Sequence, residues 1–356
     1  MREDPNNKRA LTNRLPRPLI KFQRNLNPQP PRRRVAPGSR WQALGVRLRN
    51  PTSNSAMNPL SCCLVSALLV LVVGEAAETP QAPVPLGFAR IPAGEFMMGD
   101  ALDGIKDASP HKVILNEYFM QDTEVYKAQW DDVQAWGVRH GYTDLRVGDG
   151  KAADHPVRTV TWYDVVKWCN ARSEKEGLTP CYYTDIEQTM VYRMGEQNLA
   201  NTMVKWLANG YRLPTEAEWE QAARGGLSGK RFPWGDTISH YQANFYNEGK
   251  EAYQAGSDGY KIGEDPYTSP VGSFAANGYG IHNMAGNVWE WCWDWYAEYP
   301  SGMQTNPRGH DPGSDRVVRG GAWASHASHC RVAHRYHIIP GGLADAGFHP
   351  VRSSVH

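Results

Sequence analysis

The stretch Asn283-Met-Ala-Gly-Asn-Val-Trp-Glu-Trp-Cys-Trp-Asp-Trp295 decides how this chain must be built. Its four tryptophans alternate with Glu290, Cys292 and Asp294, so as a strand it places the indoles on one face and the polar groups on the other. Four indoles need a broad apolar core to lie against, and each ring N–H needs a partner. One reading is a core strand. A second gives Asn283 and Glu290 the job of holding a hard cation such as Ca²⁺, together with backbone carbonyls between them. Spacing alone leaves both open. Asp294, set between two indoles, is expected to accept their N–H bonds.

Outward from this stretch the chain changes character. Residues 1 to 50 carry 13 Lys or Arg against Glu3 and Asp4 and show hardly any apolar periodicity, which is the composition of disorder. Met57 opens an apolar run through Val73 that is short for a membrane span and leads to Gly74-Glu75-Ala76, small residues placed for signal-peptidase cleavage. The expected organisation is a disordered basic extension over 1–56 upstream of a start at Met57, a signal peptide over 57–76, a Pro-rich linker over 77–85 and one domain over 86–353. The expected destination is outside the cytoplasm, periplasmic or secreted. With the basic arm removed, residues 51 to 356 carry a net charge of −10, which argues against a nucleic-acid partner.

That domain holds four cysteines, Cys169, Cys181, Cys292 and Cys330. An even number in an exported chain suggests two disulfides, and four cysteines permit three pairings. Cys169 with Cys181 and Cys292 with Cys330 are the expected pairs.

Phe88 to Gly99 reads as strand, Pro-Ala-Gly turn and strand, and Val113 to Met120 as one further strand. A helix is expected to begin at Asp122-Thr-Glu124 and run through Trp130, Val133 and Trp136. Thr161 with Asp164, and Thr215 with Glu218, have the form of capping boxes, the second helix ending at Gly225-Gly226. Glu216, Glu218 and Glu220 fall in or near that helix's first turn, where capping and dipole compensation explain them. From Leu227 onward helical periodicity is almost absent, and so long an irregular stretch needs cross-links, ions or dense aromatic packing.

Gly210-Tyr-Arg-Leu-Pro-Thr-Glu-Ala-Glu-Trp-Glu-Gln-Ala-Ala-Arg-Gly-Gly226, Phe232-Pro-Trp-Gly235, Asn277-Gly-Tyr-Gly-Ile-His-Asn-Met-Ala-Gly-Asn-Val-Trp-Glu-Trp291 and Arg316-Val-Val-Arg-Gly-Gly-Ala-Trp323 resemble, in order, the formylglycine-generating enzyme or sulfatase-modifying factor family. The resemblance extends over roughly 86 to 353. It implies a single α+β domain of low regular content, C-type-lectin-like, with two structural Ca²⁺ sites. The second site maps onto Asn283, Gly286, Val288 and Glu290; the first maps onto Asn244, Phe245, Asp258 and Tyr260. It further implies an oxidase that converts a cysteine of an unfolded sulfatase to formylglycine with O₂ and a copper(I) ion held by two cysteines, soft ligands that select Cu(I).

Here the second cysteine of that pair is Cys330, but the first falls on Ser325 and a family active-site serine falls on Ala322. An expected structural cysteine falls on Ala223, and the family ending Gly-Phe-Arg reads Gly-Phe-His, with His349. Six of the twelve histidines lie in the tail, at 326, 329, 334, 337, 349 and 356. They read either as a tolerant solvated loop or as an N/S site in which His326 or His329 replaces the missing thiolate for Cu or Zn. Three functions follow: an oxidase acting on a sulfatase, a different metal oxidase, or a relative that keeps the scaffold and binds a protein or small ligand on its C-terminal loop, Ala324 to Ala346. The residue chemistry favours the last.

Overall fold

The computed structural model describes residues 82–104, 108–246, 249, 251–255 and 265–354. The expected extension, the signal peptide and most of the linker lie outside these, as do Asp258, Tyr260 and His356. The elements in chain order are β1 (Phe88–Ile91), β2 (Gly94–Met98), β3 (His111–Leu115), β4 (Tyr118–Gln121), α1 (Lys127–Val138), α2 (Trp162–Lys175), α3 (Glu216–Arg224), β5 (Ile238–Ser239) and β6 (Gln254–Ala255), then β7 (Trp289–Trp295), β8 (Gln304–Thr305), β9 (Arg316–Arg319), β10 (Tyr336–Ile338), β11 (Ala346–Gly347) and β12 (Val351–Ser353). This is the expected α+β class with low regular content.

The tryptophan stretch forms β7, inside a four-stranded sheet of order β10-β9-β7-β11. β9 runs antiparallel to it, pairing Glu290 with Arg319 and Trp295 with Arg316 around an irregularity, and β11 runs parallel. Trp291 and Trp293 enter a cluster with Trp130, Trp162 and Trp168 of α1 and α2, and Cys292 enters another with Ala217 and Trp219 of α3. The sheet is therefore covered on both faces. The polar face of β7 does not meet water: Glu290, Cys292 and Asp294 are all buried. Full burial on both faces explains why this strand can carry so many large side chains.

Both capping boxes form. Thr161 accepts from the Asp164 N–H and Thr215 from the Glu218 N–H, each carboxylate returning the bond to its cap. Gly225 ends α3 in the left-handed conformation, φ 54°. Two expectations need correction. Val113 to Met120 is broken at Asn116-Glu117 into β3 and β4, which belong to different sheets. The first helix begins at Lys127, its cap Tyr126 making no side-chain bond, because Val125 instead donates its N–H to the Phe348 carbonyl (3.0 Å). Beyond α3, the described residues contain no further α-helix, and none of the described helices is long and apolar enough to cross a membrane.

The expected disulfides do not form. All four cysteines are free thiols and buried. Cys292 lies in the cluster under α3, whereas Cys330 lies in a separate one with Phe232, Phe245 and Ala285, so their sulfurs face different cores. Cys169 and Cys181 share a cluster as reduced neighbours, and burial is the main force raising both thiols, Cys181 to about 12.

Candidate functional site

Two groups of residues on and around β7 carry the chemistry the sequence pointed to. The first is a buried carboxylate and amide cage at its start. Glu290 Oε2 accepts from Trp219 Nε1 (2.8 Å) and His349 Nδ1 (2.6 Å), while Glu290 Oε1 has no hydrogen-bond partner. Asn283 donates through Nδ2 to Glu124 (2.8 Å), and its Oδ1 is also buried without a partner. Asn287 donates to the other Glu124 oxygen (2.9 Å). Burial drives the Glu124 carboxyl up to about 7, and neighbouring Glu290 adds to it. Burial opposes a charged His349, yet the Glu290 and Glu124 carboxylates outweigh it and raise its pKa.

Asn283 and Asn287 hold positive φ, 56° and 68°, so the turn before β7 is wound tightly enough to aim successive groups at one place. Gly286, at φ 79°, lies so close to the neighbouring segment that a Cβ would meet the Asn244 carbonyl oxygen at 2.1 Å. Asn287 N–H donates to that carbonyl (2.7 Å), joining the two expected cation loops. Asn244 Oδ1 is likewise buried with no partner. Leaving such an oxygen buried and unpaired costs on the order of 1–3 kcal/mol. Three orphaned oxygens, on Asn244, Asn283 and Glu290, all belong to the residues assigned to hard-cation sites; they suit an ion that takes carboxylate, amide and carbonyl oxygens together. Phe245, Gly286 and Val288 are buried beside them.

Sequence reasoning missed Glu124 and His349 as parts of this cage. The Gly-Phe-His ending was the available signal.

The second group surrounds Cys330. Its sulfur lies 3.7 Å from the His326 carbonyl and against Gly321. Burial pushes the thiol up to about 12, the Gly286 backbone N–H pulling weakly the other way. Ser325 is not a second sulfur, and its hydroxyl is engaged: Oγ accepts the Ala322 N–H (3.0 Å), with the Ser325 N–H returning to the Ala322 carbonyl (2.8 Å). One thiol held in its protonated form beside a hydroxyl does not fit a bis-thiolate copper(I) centre.

Among the described residues no group of three His, Cys, Asp or Glu side chains could hold a metal. The rings make an aromatic cluster within a partly exposed loop: His329 stacks on His334 (4.7 Å between centroids), and Trp289 stacks on Tyr336 (5.2 Å). Burial, then His334 and His326, lowers His329 to about 4, so it is neutral at ordinary pH. His337 turns outward to Asp315 (2.9 Å). Trp289, Ala322, Ser325 and Tyr336 line an open cleft of about 480 Å³.

Glu216, Glu218 and Glu220 do more than cap α3. Arg335 grips both Glu216 oxygens (2.6 and 2.8 Å), Arg319 spans Glu216 (2.7 Å) and Glu220 (2.6 Å), and Arg212 holds Glu218 (2.6 and 2.7 Å). Asp294 accepts no indole N–H; it takes the Glu216 backbone N–H (2.7 Å). The indoles turn elsewhere, Trp291 to the Val160 carbonyl (3.0 Å) and Trp293 to Asn201 (2.8 Å).

With this geometry in view, comparison with known proteins gives one answer. The family described as "Sulfatase-modifying factor enzyme 1-like domain" matches residues 74–354. The chain belongs to the sulfatase-modifying factor family. It is 34% identical to the chaperone protein LppX of Paenibacillus barcinonensis, over 69% of this chain and 83% of that one. It is also 34% identical to the formylglycine-generating enzyme of Streptomyces coelicolor, over 71% and 85%. Among solved structures it resembles Treponema denticola variable protein 1 with TM-score 0.59 and 30% identity, covering 75% of this chain and 94% of that one. CarF is similar with TM-score 0.56 and 26% identity, covering 76% and 98%. The sulfatase-modifying factor scaffold thus carries relatives with different names, and the assignment of activity rests on the residues at the site.

Proposed function

We propose that this chain is an exported, non-oxidising member of the sulfatase-modifying factor family that binds a protein or small ligand on its C-terminal loop, Ala324 to Ala346. The observation that carries the reading is Ser325: it stands where the copper pair needs a thiolate, with its hydroxyl already accepting the Ala322 N–H. That leaves Cys330 as the lone sulfur, buried and protonated. The cleft beside it, floored by Ala322 and Ser325 and walled by Trp289 and Tyr336, offers aromatic surface to a partner. A sulfatase polypeptide is the partner that the family description suggests. Structural Ca²⁺ belongs to this proposal: Asn283, Gly286, Val288 and Glu290 would hold one ion, and Asn244 and Phe245, with Asp258 and Tyr260, another. The ions would supply the positive charge that the orphaned oxygens lack.

The test is to incubate the purified exported protein with a peptide carrying a sulfatase cysteine motif, with and without copper, and to follow the peptide by mass spectrometry. The expected result is an unconverted peptide, four reactive thiols on denaturation and no stoichiometric copper. Conversion that disappears in Cys330→Ser would overturn the proposal in favour of an oxidase.

A further inference from the structure

At the far end of β7 from the Cys330 cleft, five residues and about 17 Å along the strand, lies a second cavity that the family chemistry does not use. Its volume is about 400 Å³, and no residue lines both it and the Cys330 cleft. Met98, Ala217, Trp295, Ala297, Tyr299 and Pro307 supply most of its apolar lining. Such a cavity, mostly apolar with a few convergent polar groups, has the dimensions and lining of a small-molecule site.

The wall carries both signs, with Glu216, Asp294 and Glu298 facing Arg308 and Arg335 around it. Asp294 is 6% exposed; one of its oxygens is committed to the Glu216 N–H, and among the described residues Oδ1 has no hydrogen-bond donor. Gly309, at φ 72°, lies against that oxygen, and a Cβ there would meet it at 2.7 Å. His111 and His310 also line the cavity. Their Nδ1 atoms point at the carbonyls of Ser109 (3.0 Å) and Pro312 (3.2 Å). A carbonyl only accepts, so Nδ1 carries a proton in each. Glu298 stands exposed at the rim.

Of the cations on and near the wall, Arg335 and Arg316 are hydrogen-bonded, whereas Arg308 rests on an aromatic face and makes no hydrogen bond among the described residues. Arg335 is held by both Glu216 oxygens and by the Ala297 carbonyl (2.8 Å). Arg308 lies over the Trp206 ring (4.7 Å), and Arg316 lies over Trp295 (3.4 Å) while donating to the Trp293 carbonyl (2.5 Å). What remains to meet a ligand is one buried carboxyl with an open oxygen, the two histidines, Glu298 and the exposed Arg308.

We infer that this cavity is a binding site for a small organic amine, its ammonium donating to Asp294 and its apolar body resting on Trp295, Tyr299 and Met98. Burial, reinforced by Glu216, lifts the Asp294 carboxyl to about 7, so an arriving cation meets a group close to its ionisation point and favours the charged form. The cation free to meet an anionic ligand, Arg308, is exposed, whereas Asp294 is buried in the chamber and faces the ammonium.

The probe is 2-phenylethylamine, titrated into the full chain by calorimetry at pH 7.5, with 2-phenylethanol as its neutral and phenylacetate as its anionic counterpart. The expected order is amine, then alcohol, then acid, with at least a tenfold gap in affinity between amine and acid. Asp294→Asn keeps an acceptor for the Glu216 N–H and should weaken the amine at least tenfold while changing the alcohol less than twofold. Ala297→Leu fills the chamber without touching charge and should weaken amine and alcohol alike, which decides the matter if Asp294→Asn does not fold. Tyr336→Ala, in the other cleft, should change nothing. Equal affinity for amine and acid, no binding of the amine, or binding lost in Tyr336→Ala but kept in Ala297→Leu would each overturn the inference.

Discussion

The ion network beneath α3 and the cleft near Cys330 belong to the same sheet, the first drawing on β9 and the second on β7 and β10, and they treat charge in opposite ways. Beneath α3, Glu216, Glu220, Arg319 and Arg335 are all buried, and each carboxylate has its guanidinium. At the cleft, Cys330 and His329 are both held neutral by burial. The first region spends its charges on holding the irregular tail against the helix, since Arg319 and Arg335 both come from beyond β7. The carboxylate on the cleft wall, Asp345, is paired with Arg158 (2.5 Å).

Removing Arg319 should be the most costly way to probe this difference. Arg319→Ala leaves Glu216 partly paired and Glu220 facing burial with one fewer cation, a loss of about 3–5 kcal/mol. Cys330→Ala removes one small apolar group and should cost about 1 kcal/mol. Urea unfolding of the two variants measures both; equal costs would break the contrast. Calcium comes next. If the orphaned oxygens hold Ca²⁺, ion at a hundredfold excess over its dissociation constant should stabilise the chelator-treated protein by about 2.7 kcal/mol. Asn283→Ala should lose part of that gain in a thermal melt.

Asp294 sharpens the ionic side through pH. Its ordinary pKa of 3.8 is raised to about 7 by burial and then by Glu216, with Glu218, Arg335 and Arg316 also facing it. Between those values the folded chain keeps a proton that the unfolded chain has released. This contribution to stability is therefore full below about pH 4, falls as pH rises and levels off above about pH 7, with a slope approaching about 1.4 kcal/mol per unit. Asp294→Asn should flatten that part of the pH profile. The smallest expected stability effect is at the cleft: Ser325→Cys loses the acceptor for the Ala322 N–H, about 1 kcal/mol, yet it should gain Cu(I) uptake measurable against a chromogenic chelator. Failure to bind copper would show that more than the missing sulfur separates this cleft from an oxidase.

Much of this was legible in the residues. Two capping boxes and the Gly225 stop needed only local backbone bonds, and they formed where the spacing put them. The alternation from Trp289 to Trp295 gave the strand, and Ser325 in place of cysteine gave the lost copper pair, because a side chain's donor type is a property of the residue itself. Cys292 and Cys330 do not pair because pairing depends on where two sulfurs point, and they point into different cores, whereas Cys169 and Cys181 share a core and stay reduced. The histidine-rich loop stays partly exposed, and what the residues did not announce is the packing of His329 and His334 near Trp289, a relation between segments.

By itself the sequence determined the α+β class, the caps, the central strand and the chemical kind of donor at each candidate site. Only the tertiary structure decided that both faces of β7 are buried, that Glu124 and His349 join the Asn283 and Glu290 cage, and that Asp294 meets a helix N-terminus and a cavity in place of indoles. Local signals act over a few residues through backbone bonds of fixed geometry. Burial and partnership join residues such as Glu124 and Asn287, 163 positions apart, and exist only once the chain has closed on itself.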